Sequence, residues 1–131
     1  GGVYYEDVYA NWEIPLIAQD ETEEMPEEMQ QYLDKMVELC KENDVELILY
    51  AAPFNTLYGS DEEVEDLYRR QRIFNGIENY AAQKELAYYN LFYEMDEIGL
   101  DNATDWKDSQ HLNCNGQMKL TRYMMDMGYL K

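Results

Sequence analysis

The chain has 131 residues, which is enough for one compact domain and short for two. Apolar residues make up 46% of it, which allows a hydrophobic core and argues against global disorder. Its 28 acidic and 10 basic residues give a formal net charge of −18. That charge argues against nucleic acid and anionic membrane surfaces as partners, because binding to phosphate groups depends on Lys and Arg.

The sequence carries no sign of a membrane span or a metal site. No apolar run approaches the roughly 20 residues that cross a bilayer, and no signal peptide or transmembrane segment is recognisable in the chain. Because the sequence starts with Gly-Gly and not with methionine, we expect a further segment to precede it. Cys40 and Cys114 lack the spacing of a zinc motif, and no acidic stretch has the ligand order of a calcium loop.

The first 24 residues are the least regular part of the sequence. Residues 1–24 include VYYEDVYANWEIPLIA, which is aromatic and β-prone without a clean period, and they predict an irregular arm or an edge strand. A helix is predicted over about 26–43, with Pro26 at its first position. Its apolar residues recur at three- and four-residue steps and form one stripe, which we expect to face the core. The stripe consists of Met29, Tyr32, Leu33, Met36, Leu39 and Cys40.

Two strand-like segments follow, each separated from the next element by a loop or a helix. VELILYAAP (45–53) is a nearly continuous apolar run that reads as a strand buried on both faces, and LAYYNLF (86–92) predicts a second strand. Between them, Ser60 begins a capping box for a helix over about 61–85. The inner face of that helix is predicted to carry Val64, Leu67, Tyr68, Gln71, Phe74, Ile77 and Ala81.

A last helix is predicted over about 114–127, with Asn113 as its cap and Leu120, Met124 and Met127 facing the core. Strands that alternate with helices predict an α/β fold, a parallel sheet flanked by helices. Two strands are too few for a stable open sheet. Either the N-terminal arm adds a strand, or a second copy completes the sheet as a homodimer, or the single domain 1–131 is the C-terminal part of a larger one.

The connection after the second predicted strand contains the only histidine of the chain, His111. In an open parallel sheet, sites form beyond the carboxyl ends of the strands, which is where this connection starts. Asp108 precedes the histidine by three residues, so its carboxylate can accept the Nδ1 proton and leave Nε2 free to act as a general base. The alternative interpretation is a surface histidine that only caps its own loop.

The stretch DSQHLNCNGQMKLT (108–121) resembles the last sequence block of the SGNH, or GDSL-type, hydrolase and acyltransferase superfamily. The wider form H-L-N-x-x-G-x-x-x-x-T is most similar to the branch that modifies cell-envelope polymers, which includes proteins of alginate O-acetylation and of teichoic-acid D-alanylation. The likeness spans roughly 28–127 and is specific only over 105–121. It implies the C-terminal half of an SGNH-like fold, a partial flavodoxin-like three-layer sandwich.

The resemblance implies roles for individual residues. Asp108 and His111 are the expected catalytic acid and base of a Ser-His-Asp triad, and Asp105 and Trp106 are expected to bind substrate at the approach to the site. Structural roles are implied for Asn113 as the helix cap and for Gly116 as a close-packing residue. The implied substrate is an acylated carbohydrate or envelope polymer, the implied location is extracytoplasmic or in the cell envelope, and no cofactor or metal is required.

The sequence departs from the superfamily in lacking a recognisable nucleophile. The superfamily has its serine in a Gly-Asp-Ser type turn after the first strand, and neither Ser60 nor Ser109 fits that position. We therefore expect the chain to be inactive alone, as part of an esterase or O-acyltransferase. Cys114, three residues after His111, is an in-chain alternative as the nucleophile of a Cys-His pair.

A second function class stays open, which is a non-catalytic carbohydrate- or protein-binding module on a degenerate hydrolase fold. The chain has 13 tyrosines and 2 tryptophans, and such rings can form stacking surfaces for sugars or a face for a protein partner.

Overall fold

The structure is a computed structural model that describes residues 16–56 and 61–130. Along these residues the chain forms helix α1 (Glu27–Glu42), strand β1 (Ile48–Ala51), helix α2 (Asp61–Gln83), strand β2 (Ala87–Asn90), a 3-10 helix (Leu91–Glu94), helix α3 (Met95–Ile98) and helix α4 (Cys114–Asp126). None of the helices in these two ranges is long and apolar enough to cross a membrane.

Strands β1 and β2 pair in parallel and form the sheet seen in the described residues. The register runs from Ile48 opposite Ala87 to Ala51 opposite Asn90, and α2 makes the crossover between the two strands. This arrangement confirms the predicted mixed α/β class with a parallel sheet.

Strand β2 is in contact with other parts of the chain on both of its faces. The Tyr88 hydroxyl donates to the Phe74 carbonyl of α2 at 2.7 Å. The ring of the next residue, Tyr89, stacks on Tyr129 beyond α4, with the ring centroids 3.8 Å apart. Because successive strand residues point to opposite faces, these two contacts place α2 on one face of β2 and the end of the chain on the other.

Helix α2 supplies much of the buried surface, as its sequence pattern predicts. Leu67, Gln71, Ile77 and Ala81 of the predicted inner face are buried, and the other three are half-buried. A second cluster lies under α4 and the connection that leads to it. This cluster consists of Leu91, Ile98, Trp106, Leu112, Leu120 and Met124.

The part of the N-terminal arm that the structure describes lies across α2 and is irregular. The backbone N–H of Glu23 donates to the Arg72 carbonyl at 3.0 Å, and the Asn75 amide donates to Ala18 and Glu21 carbonyls at 3.2 and 2.9 Å. A Cβ at Gly76 would collide with the Glu23 carbonyl, so this close approach requires glycine. No strand occurs in residues 16–24, and the rest of the predicted arm lies outside the described residues, as does Ser60.

The predicted core-facing stripe of α1 is the main error of the sequence-based prediction. Val37 is the buried residue of this helix, whereas Leu39 is 61% exposed and Tyr32 and Met36 are also exposed. Helix α1 is held to α2 at its side, where the Tyr80 hydroxyl donates to Asp34 at 2.8 Å. The stripe has the period of one helix face, but no element in residues 16–56 and 61–130 covers that face.

Two smaller corrections concern helix ends. Pro26 occupies the N-cap position, so the helix begins one residue later than predicted, at Glu27. Met127 was predicted to face the core and is exposed, because α4 ends at Asp126 and Met127 is already its C-cap.

The burial difference between two leucines gives a direct test of this fold. Leu67, 1% exposed, should cost about 2–5 kcal/mol of unfolding free energy when replaced by Ala, through lost burial and the cavity left behind. Leu39→Ala removes the same atoms from an exposed position and should cost less than about 1 kcal/mol. Urea denaturation of both variants measures the difference. An equal and concentration-dependent loss for Leu39→Ala would show that a second copy covers the stripe in solution.

Candidate functional site

The segments that leave the carboxyl ends of β1 and β2 are hydrogen-bonded to each other. The backbone N–H of Asn55, four residues beyond β1, donates to the Ser109 carbonyl at 3.2 Å, and its side-chain amide donates to the Asn102 carbonyl at 3.0 Å. The Asn102 amide in turn donates to the Thr56 hydroxyl at 2.9 Å. The loop that carries Asp108 and His111 is therefore anchored at the carboxyl edge of the sheet, as predicted.

That loop closes on itself at its base. Trp106 and Leu112 form an antiparallel bridge, and the backbone N–H of Lys107 donates to the His111 carbonyl at 2.8 Å. One residue further down, the N–H of Asn113 donates to the Asp105 carbonyl at 2.9 Å. These pairs leave residues 107–111 as the tip of a short, closed loop, which we call the dyad loop.

Asp108 and His111 contact each other at this tip. His111 Nδ1 lies 2.8 Å from Oδ1 and 2.9 Å from Oδ2 of Asp108. An ionised carboxylate only accepts hydrogen bonds, so the shared proton belongs to Nδ1 and the lone pair of the neutral ring is on Nε2. The His111 side chain is 71% exposed, and no residue in the described ranges bonds to its Nε2. The predicted contact between Asp108 and His111 is present in the structure, and their catalytic roles stay a prediction.

The Asp108 carboxylate is held by the backbone as well as by the ring. Its Oδ1 accepts the N–H of Gln110 at 2.8 Å and the N–H of His111 at 2.7 Å. Partial burial by itself raises the pKa of Asp108, but the Gln110 N–H, the His111 ring and the His111 N–H outweigh that effect and lower it below its ordinary value. Asp108 is therefore kept ionised and fixed in the orientation that the ring needs.

Asp105 and Trp106, the predicted substrate-binding residues, lie beneath the dyad loop. Asp105 is 2% exposed, and its carboxylate accepts the Lys119 ammonium at 2.6 Å and the Asp101 N–H at 2.9 Å. Trp106 is completely buried in the cluster under α4, next to Leu112. Both contacts are structural, and a role in substrate binding stays a prediction.

Asn113 and Gly116 take the places that the sequence assigned to them. The Asn113 side-chain oxygen accepts the Gly116 N–H at 3.1 Å, which caps α4. The same amide donates to the Thr104 carbonyl at 2.7 Å and to the Trp106 carbonyl at 3.4 Å. A Cβ at Gly116 would collide with the Asp105 carbonyl, so glycine allows the helix to start directly against the loop.

Sequence reasoning missed the residues that anchor the dyad loop from outside. Arg70 of α2 donates to the Gln110 side chain at 3.2 Å, and its guanidinium lies 5.3 Å from the centre of the Phe54 ring. Asn55 and Asn102 were also not singled out. For Asn55, a signal was present, because it is a polar residue just beyond the carboxyl end of a predicted strand, the position from which sites are built.

No family model matches the chain, and neither the curated proteins nor the solved structures contain a match. The likeness to the SGNH superfamily therefore rests on the motif at 105–121.

The in-chain alternative nucleophile, Cys114, gains no support from the geometry. Cys114 is exposed at the first turn of α4, and among the described contacts there is no hydrogen bond between it and His111. Its thiol and that of Cys40 are both free. Ser109 contributes its carbonyl to the bond with Asn55. Within the described ranges, no cluster of three or more His, Cys, Asp or Glu side chains could hold a metal ion.

The lowered pKa of Asp108 leads to a prediction for His111→Phe. This variant removes the hydrogen bond from the imidazole ring to the Asp108 carboxylate and keeps both backbone N–H bonds. The pKa of Asp108 should therefore rise part of the way to its ordinary value. Because the folded pKa lies below the unfolded one, ionised Asp108 stabilises the fold above about pH 3.9, and this contribution is lost as the pH falls through the folded value. Carboxyl ¹³C NMR titration measures the pKa, and an unchanged value would mean that the ring does not bind the carboxylate in solution.

Proposed function

We propose that the chain supplies the general base and its orienting carboxylate to an SGNH-like serine esterase or O-acyltransferase. The observation that carries this proposal is the contact of His111 Nδ1 with both oxygens of Asp108, in a loop anchored at the carboxyl edge of the sheet. The resemblance of residues 108–121 to the superfamily block supports the same assignment.

The chemistry that this pair can perform is proton transfer to and from an oxygen nucleophile. Nε2 of His111 takes the proton of a serine hydroxyl as its oxygen attacks the acyl carbonyl carbon, and Asp108 stabilises the imidazolium that forms. The ring then returns the proton to the departing alcohol, which leaves an acyl-serine. Water, or an acceptor hydroxyl, gives up a proton to Nε2 in the second half and releases the acyl group by the same path.

The serine in this proposal belongs to polypeptide outside the chain, as do the donors of an oxyanion hole. The exposure of the His111 ring and of the α1 stripe supports this, because both surfaces are open to further polypeptide. The C-terminal half of a flavodoxin-like sandwich is the fold that such a protein would share with this chain. Acyl groups on carbohydrate or cell-envelope polymers, outside the cytoplasm, are the substrate class that the motif favours.

The gene sequence before Gly1 tests the proposal first. It should encode a strand followed by a Gly-Asp-Ser type turn, and a protein that includes it should hydrolyse a simple acetyl ester. His111→Ala and Asp108→Asn should then each lower kcat/KM by about 10³–10⁴-fold, because the triad acts as a unit. Both side chains are at least partly exposed, so the urea midpoint should change little.

Matched controls make this test specific. Asp96→Asn removes the same charge from an exposed position of α3 and should leave turnover unchanged. The chain as given, without further polypeptide, should show no ester hydrolysis that depends on His111. An upstream sequence without such a serine, or His111-dependent hydrolysis by the chain alone, would contradict the proposed division of labour.

The uncovered stripe of α1 favours a second candidate function, a non-catalytic binding module. Tyr32, Met36 and Leu39 form an exposed apolar surface of the kind that marks a protein- or carbohydrate-binding face. NMR titration of the chain with acetylated and unmodified oligosaccharides separates the two functions. Binding shifts on α1 with none in the dyad loop would favour the module, and shifts in the loop would favour the enzymatic proposal.

A further inference from the structure

An ion pair with a buried carboxylate and a half-exposed ammonium lies at the base of the dyad loop and joins it to α4. The Asp105 carboxylate, 2% exposed, accepts the Lys119 ammonium at 2.6 Å, while the same ammonium donates to the Gly99 carbonyl at 3.0 Å. The carboxylate also accepts the backbone N–H of Asp101 at 2.9 Å. One side chain of α4 thus holds the start of the connection and the base of the dyad loop together.

The backbone of Asp105 is fixed as firmly as its side chain. Its carbonyl accepts the N–H of Asn113 at 2.9 Å and lies against Gly116, where a Cβ would not fit. Asp108 lies three positions after Asp105, and the backbone N–H of Lys107, between them, donates to the His111 carbonyl at 2.8 Å. A displacement of the chain at Asp105 would therefore also displace the base of the dyad loop, to which Asp108 is attached.

If its only effect were to stabilise the fold, an ion pair would be a poor choice for holding this loop. Removing a carboxylate from water carries a desolvation penalty that the ion pair has to offset, and apolar residues of similar volume often stabilise a fold equally well. What the pair adds is direction, because charge-assisted hydrogen bonds are short and tolerate little displacement. Lys119 remains 41% exposed, so its ammonium keeps part of its hydration and lowers this cost.

We propose that Asp105 and Lys119 are positioning residues that hold the dyad loop so that Asp108 keeps both oxygens on His111 Nδ1. The catalytic use of Asp108 and His111 rests on the proposed function, but their positioning can be measured without any enzymatic activity. If the pair is lost, the carboxylate should leave the ring, and Nδ1 should no longer be held as the protonated nitrogen.

The single histidine makes this measurable. In ¹⁵N-labelled chain, at a pH where its own spectrum shows a neutral ring, His111 should give two well-separated ring nitrogen shifts, one for protonated Nδ1 and one for bare Nε2. In Asp105→Asn and in Lys119→Met, the two shifts should approach each other as both tautomers become populated. Lys119→Arg keeps a cation and donors within reach and should restore most of the separation.

Glu23→Gln is the matched control. It also neutralises one acidic partner of an ion pair, with Arg69 and Arg72 on α2. Among the described contacts Glu23 has none with the dyad loop, so the His111 shifts should stay as in the wild type. Urea denaturation of each variant separates positioning from stability. If Asp105→Asn and Lys119→Met lower the free energy of unfolding but leave the ring shifts unchanged, the proposal is overturned and the ion pair only stabilises the fold.

The design keeps the outcomes distinguishable. If Asp105→Asn does not fold, Lys119→Met can still test the positioning. We expect this variant to fold, because Lys119 is partly exposed and Met retains the apolar part of the lysine side chain. A gene without an upstream serine would overturn the proposed function and leave the ring shifts, and hence the positioning, unaffected. Unchanged shifts in Lys119→Met would overturn the positioning and leave the triad proposal intact.

Discussion

The parallel direction of β1 and β2 is the constraint on which the candidate site depends. Ala51 and Asn90, the last residues of the two strands, are neighbours in the register, so the segments that follow them start side by side. The bonds from Asn55 to the connection after β2 follow from that start. An antiparallel pair would send one of the two segments to the opposite edge of the sheet. The dyad loop is thus placed by strand direction and needs no contact of His111 itself with the sheet.

The parts of the site that sequence could predict are those set within a few residues. An Asp three positions before a His, and an Asn three positions before the N–H that it caps, have few geometries open to them once a turn or a helix starts there. The bond of Arg70 with Gln110 joins residues 40 positions apart, and no local pattern announces it. The same holds for Asn55 and Ser109, which the fold alone brings together.

Burial was predicted less well than secondary structure, because periodicity tells which side chains share a face and not what covers that face. The α1 stripe has the period of one helix face, but its side chains are exposed because no other element in the described residues packs against them. Trp106 illustrates the same limit. The resemblance implies a place at the approach to the site, and only the structure shows that its ring lies in the cluster under α4, beside its bridge partner Leu112.

The exposure of the dyad bears on what it can do as it stands. At an exposed position, water screens the attraction between Asp108 and an imidazolium, so the ion pair itself contributes little to orientation. Two backbone N–H groups of the loop bind the carboxylate directly, and the ring bonds to the carboxylate that they hold. General-base catalysis on an ester gains most of its electrostatic benefit in a site from which water is excluded. Polypeptide that brought a hydroxyl to Nε2 would also cover this ring, lower the local dielectric and strengthen the Asp108–His111 bond. The delivery of the nucleophile and the activation of the base would therefore be one and the same packing event.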